Sequence, residues 1–160
     1  MNYSEIFYND FVNGEGCRIA LFVSGCSHAC EGCYNKATWN PKAGQPFDIA
    51  IESKIFSAMT NHDGLSLSGG DPLHKKNYPH ILRLCRTFKA QFPTKDIWLW
   101  TGDLFSTIPK ELLSCLDVVI DGEYEKDNTP CTKPWRGSNN QKLWRKVVDD
   151  VWEAHAKDNY

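Results

Sequence analysis

The sequence predicts an α/β fold on a mostly parallel sheet, and three observations carry that expectation. Apolar runs rich in β-formers recur at residues 18–24, 65–68, 97–101 and 117–121, and a glycine follows each of them directly. Helical spacing fills the intervals between them, and strands alternating with helices imply parallel pairing with both faces covered. No repeat, Ser/Gly linker or change of composition divides the chain, so a single domain over residues 1–160 is expected.

The elements follow in order. Residues 18–24 (RIALFVS) form a buried strand ending at Gly25, with a cysteine-rich loop after it. From Asp48, a suitable N-cap, Ile51, Ile55, Phe56 and Met59 share one side of a helix. Residues 65–68 (LSLS) are the second strand and run into Gly69-Gly70-Asp71-Pro72. Ile81, Leu82, Leu84, Cys85 and Phe88 make an amphipathic helix that Pro93 stops. Residues 97–101 (IWLWT) are the third strand, a short helix is expected over residues 108–116, and residues 117–121 (DVVID) are the fourth strand. Residues 123–140 read as loop, and periodicity leaves residues 141–155 open between strand and helix.

Composition narrows the function. With 18 Lys+Arg against 20 Asp+Glu and no basic run, a nucleic-acid surface is not indicated. No segment approaches 18 consecutive apolar residues, and the opening MNYSEIFYNDF lacks the basic start and apolar run of a signal peptide. A cytoplasmic protein without a membrane partner is expected. In that reducing compartment, seven cysteines point to metal or catalysis rather than to disulfides.

Cys26, Cys30 and Cys33 stand in a Cys-x3-Cys-x2-Cys spacing on the loop after the first strand. Three local thiolates can hold an iron–sulfur cubane and leave one iron open, the mark of a metal that acts on something. The competing reading is structural zinc, with His28 or Cys131 as fourth ligand. Cys17, Cys85 and Cys115 read as small core residues, and Trp135 and Trp144 as the tryptophans to expect at an interface. In a parallel sheet the cysteine loop, Gly69-Gly70-Asp71, Thr101-Gly102 and Asp121-Gly122 all fall on one edge, the expected site rim.

The cysteine loop, with a Gly-Gly-acid-Pro turn after the next strand, resembles the radical S-adenosylmethionine (SAM) superfamily. CSHACEGCYNKATWNP, LSLSGGDPL, DIWLWTG, VVIDGEYE and KPWRGSNNQ are similar, within it, to the activating proteins of anaerobic ribonucleotide reductases. That resemblance runs from about residue 11 to residue 143. It implies a partial (β/α) barrel, since 160 residues fall short of the roughly 250 of a complete eight-unit barrel. It also implies an oxidoreductase in which a 4Fe-4S cluster on Cys26, Cys30 and Cys33 cleaves SAM reductively to methionine and a 5′-deoxyadenosyl radical. The radical would then create a glycyl radical on the large subunit of the anaerobic ribonucleoside-triphosphate reductase, with a flavodoxin-type protein as electron donor. The nearest alternatives are an activator of another glycyl-radical enzyme of the pyruvate formate-lyase type, and a non-enzymatic iron–sulfur or zinc protein.

Beside that picture, Ser68, Gly69, Gly70 and Asp71 let the backbone approach a ligand and offer a carboxylate to the ammonium of SAM. Taken alone they also read as an ordinary turn. Gly32 and Tyr34 flank Cys33, and the Tyr34 ring reads either as a face for adenine or as simple packing. Residues 136–141 (RGSNNQ) read either as contacts to SAM or the partner's glycine loop, or as a solvated turn.

Overall fold

The computed structural model describes residues 1–155, so the last five residues of the expected domain lie outside the described residues. Within them run β1 (Asn2–Asp10), β2 (Arg18–Val23), β3 (Gln45–Pro46), α1 (Ile49–Ala58), β4 (Gly64–Gly69), α2 (Tyr78–Gln91), β5 (Asp96–Trp100), α3 (Lys110–Leu113), β6 (Val118–Asp121), β7 (Lys142–Val148) and β8 (Val151–Ala154). The strands form one sheet in the order β3-β1-β2-β4-β5-β6-β7-β8.

The four apolar runs are the central strands β2, β4, β5 and β6, and they pair in parallel, with Leu21 opposite Leu67, Leu67 opposite Leu99 and Leu99 opposite Val119. The outer pairings, β3 with β1, β1 with β2, β6 with β7 and β7 with β8, are antiparallel. Three of seven pairings are therefore parallel, and the mostly parallel sheet is corrected to a mixed one. Connection length supplies a reason on the outer side. A parallel pair needs a crossover of a dozen or more residues, whereas residues 11–17 join β1 to β2 and two residues join β7 to β8. Asp150 turns that last hairpin with φ of +58°. Among the described residues no pairing joins β3 to β8, so the ladder stays open.

Alternation along the strands divides two cores. Ile19, Leu21, Val23, Leu65, Leu67, Ile97, Leu99 and Val119 face one side, where Ile55 and Met59, Ile81, Leu84, Cys85 and Phe88, and Leu112 cover them. Trp98, Val118, Ile120 and Leu143 face the other side with Trp100 and Trp135. Among the described residues all three helices thus lie on one face, and the other face is buried as expected but without a helix, beneath Trp100 and Trp135. On the helix-free face the buried Arg18 guanidinium pairs with Asp96 at 2.7 Å, donates to Ser66 Oγ at 2.7 Å and Leu65 O at 3.0 Å, and lies 5.3 Å from the Trp98 ring. A charge held out of water persists only when paired in this way. Trp135 meets Trp98 at 5.0 Å and Trp144 stacks on Phe105 at 4.4 Å, and both remain half-buried.

The helix signals hold up individually. Asp48 caps α1, accepting from Ile51 N at 3.0 Å, a contact of about 1 kcal/mol. α2 stops before Pro93 as its ring requires. α3 is a single turn, shorter than the helix expected over residues 108–116. Among the described residues no helix is long and apolar enough to cross a membrane.

Candidate functional site

Because β2, β4, β5 and β6 are parallel, their carboxyl ends share one edge, and the loops after them meet there. Cys26, Cys30, Cys33, Tyr34, Ser68, Gly69, Gly70 and Asp71 line one cavity of about 210 Å³, together with Asn35, Trp100, Tyr124 and Gln141. Of the expected site residues Gly32 stands outside that lining. Its φ of +74° turns the loop, and a Cβ there would press on the Lys126 side chain at 3.1 Å.

The cysteine loop is sewn to its neighbours. Gly25 N donates to Thr38 O at 2.6 Å, Cys26 N to Trp39 O at 3.1 Å, and Asp71 N to Gly25 O at 2.7 Å. A Cβ at Gly70 would stand 2.6 Å from Gly25 O, so this close approach admits only glycine. Asn77, 1% exposed, donates from Nδ2 to Ser24 O at 2.9 Å and to Asp71 O at 3.0 Å, binding the ends of β2 and β4 together. Sequence reasoning missed Asn77, which reads as an ordinary residue before a helix. It also missed Asn35, whose N–H faces Cys33 Sγ at 3.4 Å and whose Nδ2 faces Gly69 O at 3.5 Å. Its place two residues after a ligand-type cysteine was the available signal.

The three thiols are half-buried and free of disulfides. Burial pushes the Cys26 and Cys30 thiols up, so the metal-free loop holds them protonated and a metal must draw the thiolates out. Three soft donors converging on one cavity fit an iron–sulfur cluster. Neither fourth ligand of the zinc alternative is aimed at them. Cys131 turns its Sγ to Lys133 O at 3.8 Å, and both ring nitrogens of His28 are engaged elsewhere.

Asp71 is 2% exposed. Its carboxylate accepts from Leu73 N at 2.8 Å, from Thr101 Oγ1 at 2.9 and 3.0 Å, from Gly102 N at 3.0 Å, and from His28 Nε2 at 2.8 Å. His28 Nδ1 meets Glu123 Oε1 at 2.8 Å, and Asp103 Oδ1 lies 3.4 Å from Nε2. With a carboxylate at each ring nitrogen both nitrogens must donate, which only the imidazolium does. The hydrogen bond to Asp71, with help from Glu123 and against burial, pushes the His28 pKa up to about 9.

Tyr34 is 80% exposed at the cavity lip, with its ring 5.2 Å from that of Tyr124. In residues 136–141 the Gln141 side chain accepts from Gly137 N at 2.7 Å and donates to Gly122 O at 2.8 Å. Gly137 and Gln141 reach the cavity, while Ser138 is fully buried and Asn139 and Asn140 bond to nearby backbone, so only part of this segment meets the site.

A family model described as a 4Fe-4S single cluster domain matches residues 12–144. An anaerobic ribonucleoside-triphosphate reductase-activating protein of Enterobacteria phage T4 is 51% identical over 156 residues, covering 96% of this chain and 99% of that protein. The protein of that name from Escherichia coli K12 is 45% identical over 148 residues, with 88% and 96% covered, and the one from Pasteurella multocida is 44% identical over 154 residues, with 91% and 98% covered. With three cysteines gathered at the rim of the sheet and likeness across nearly the whole chain, the protein belongs to the anaerobic ribonucleoside-triphosphate reductase-activating proteins and carries a 4Fe-4S single cluster domain.

Proposed function

We propose that the protein is a radical SAM activating enzyme that installs a glycyl radical on the large subunit of an anaerobic ribonucleoside-triphosphate reductase. One observation carries this reading: the three cysteines and Ser68-Gly69-Gly70-Asp71, distant in sequence, line the same cavity. Cys26, Cys30 and Cys33 would hold the cluster, which when bound and reduced supplies one electron to cleave SAM into methionine and a 5′-deoxyadenosyl radical that takes a hydrogen atom from the reductase glycine.

The chain's own residues receive and orient the ligand. Gly69 and Gly70 bring backbone close to the cavity, where carbonyls can accept from an ammonium. Asp71 already holds Leu73 N, Thr101 Oγ1, Gly102 N and His28, close to the four acceptor positions of a carboxylate. It therefore serves to shape the rim more than to bind the ammonium directly. Tyr34 offers a ring face to adenine, and Gly32 gives the loop its turn beside Cys33.

Ligand sites commonly enclose about 300–1,000 Å³. A cavity of about 210 Å³ leaves part of a nucleoside–amino-acid conjugate uncovered, so the reductase supplies the missing wall and keeps water from the radical. Helices on one face, and a cavity at the carboxyl ends of four parallel strands, support reading the sheet as a partial (β/α) barrel of radical SAM type in one domain. A flavodoxin-type protein in the cytoplasm would supply the electron.

The test is anaerobic reconstitution with iron and sulfide, counting iron per chain and recording the electron paramagnetic resonance spectrum of the reduced protein with and without SAM. About four irons and a spectrum that changes with SAM are expected. Stoichiometric zinc without iron uptake, or a cluster indifferent to SAM, would refute the reading.

A further inference from the structure

His28 sits between Cys26 and Cys30, yet its ring is turned toward the sheet edge. Its three acidic neighbours come from successive strand ends: Asp71 after β4, Asp103 after β5 and Glu123 after β6. Two further observations show that the surroundings are built around this ring. Ala29 adopts φ of +54°, a left-handed conformation costly for a residue with a Cβ, and this bend directly follows His28. A Cβ on Gly102 would stand 2.5 Å from His28 Cδ2 and 2.7 Å from Nε2, so the absent side chain at Gly102 is what admits the imidazole.

We propose that His28 is the positioning residue of the cluster loop: its imidazole clamps the segment between Cys26 and Cys30 onto three strand ends, and so fixes where the cysteines stand relative to the ligand-receiving turn. Charge-assisted hydrogen bonds to carboxylates are directional and stronger than neutral ones. Two of them, at 2.8 Å to Asp71 and 2.8 Å to Glu123, hold the ring from opposite sides. Since Asp71 closes the Gly69-Gly70 turn, the same clamp couples the cysteine loop to the backbone that faces the ligand.

Full-length His28→Asn and Gly102→Ala are compared with the parent chain. Gly102→Ala keeps the imidazole but drives a methyl group into its place. The first readout is iodoacetamide alkylation of Cys26, Cys30 and Cys33 in the metal-free protein, with Cys131 as internal reference. Loss of even one of the two charge-assisted bonds predicts alkylation at least about ten-fold faster at the three loop cysteines. The second readout, the only one that depends on the cavity being the SAM site, is the SAM concentration that half-converts the spectrum of the reduced cluster; it should rise about ten-fold at parent iron content.

Alkylation of His28→Asn at the parent rate overturns the clamp; if that variant does not fold, parent-like alkylation in Gly102→Ala overturns it. An unshifted SAM midpoint with full iron overturns the coupling to the ligand turn. If the parent cluster itself ignores SAM, the proposed function falls, while alkylation still decides the role of His28.

Discussion

The Thr101 hydroxyl stands between the two carboxylate oxygens of Asp71, 2.9 Å from one and 3.0 Å from the other. Thr101 is 5% exposed, so this contact between the ends of β4 and β5 is made away from water. Thr101→Val keeps the shape and removes the donor. It should cost about 1–3 kcal/mol of stability in urea unfolding of the metal-free protein, the penalty of leaving a buried charged acceptor short of a partner.

Asn77 should be less tolerant of aspartate than of alanine. Asn77→Ala removes two donated bonds to Ser24 O and Asp71 O, a loss of about 2 kcal/mol. Asn77→Asp places a carboxylate against the same carbonyls and adds the cost of a buried unpaired charge. Thermal midpoints in the order parent, Asn77→Ala, Asn77→Asp are expected, and the reverse order for the two variants would refute the clamp between β2 and β4.

Replacing Cys26, Cys30 or Cys33 singly by Ser should abolish stable iron uptake on anaerobic reconstitution, whereas Cys131→Ser should load as the parent does. The former three line the common cavity and Cys131 turns to Lys133 O. Iron per chain is the measurement, and iron loss in Cys131→Ser would return it to the ligand set.

The pH dependence of the metal-free protein follows from His28. Its pKa is raised from 6.5 to about 9 in the folded chain, chiefly by the bond to Asp71. A raised pKa means the folded state holds the proton more tightly, so the stabilisation is complete below pH 6.5 and is lost as pH rises through about 9. Burial-raised thiols also titrate in alkali, which makes the difference between parent and His28→Asn the quantity to follow. That difference in urea midpoint should shrink from pH 6.5 to above pH 9, and a constant difference would count against the imidazolium.

Gly70→Ala should be damaging although Gly70 is not among the glycines of positive φ, because the added Cβ meets two backbone carbonyls, Gly25 O at 2.6 Å and Thr38 O at 2.9 Å. Backbone cannot turn aside as a side chain can, so a loss of about 1–3 kcal/mol is expected from overpacking. Urea unfolding of the metal-free variant is the check.

The central sheet was legible because its strands are buried on both sides and read as unbroken apolar runs, as in Arg18–Val23 and Val118–Asp121. β1 escaped notice because NYSEIFYND mixes polar and apolar residues on a half-exposed strand near the sheet edge. β7 and β8 were hidden by charged residues such as Lys142, Arg145, Lys146 and Glu153. At the site, the cysteine spacing and the Gly-Gly-Asp turn were visible because each is local. The ties of His28 to Asp71 and Glu123 span 43 and 95 residues, and nothing in the neighbourhood of His28 announces partners so remote.

Those spans bear on how the protein matures. A zinc-finger loop is shaped by its metal, and such chains stay unfolded without it. Here the loop between Cys26 and Cys30 takes its shape from groups at the ends of three later strands, which come together only once β4, β5 and β6 have been laid down. On the proposed clamp, the cysteine loop would depend for its shape on the folded sheet edge, so that iron and sulfide would enter a loop whose backbone course is set by His28, Asp71 and Glu123.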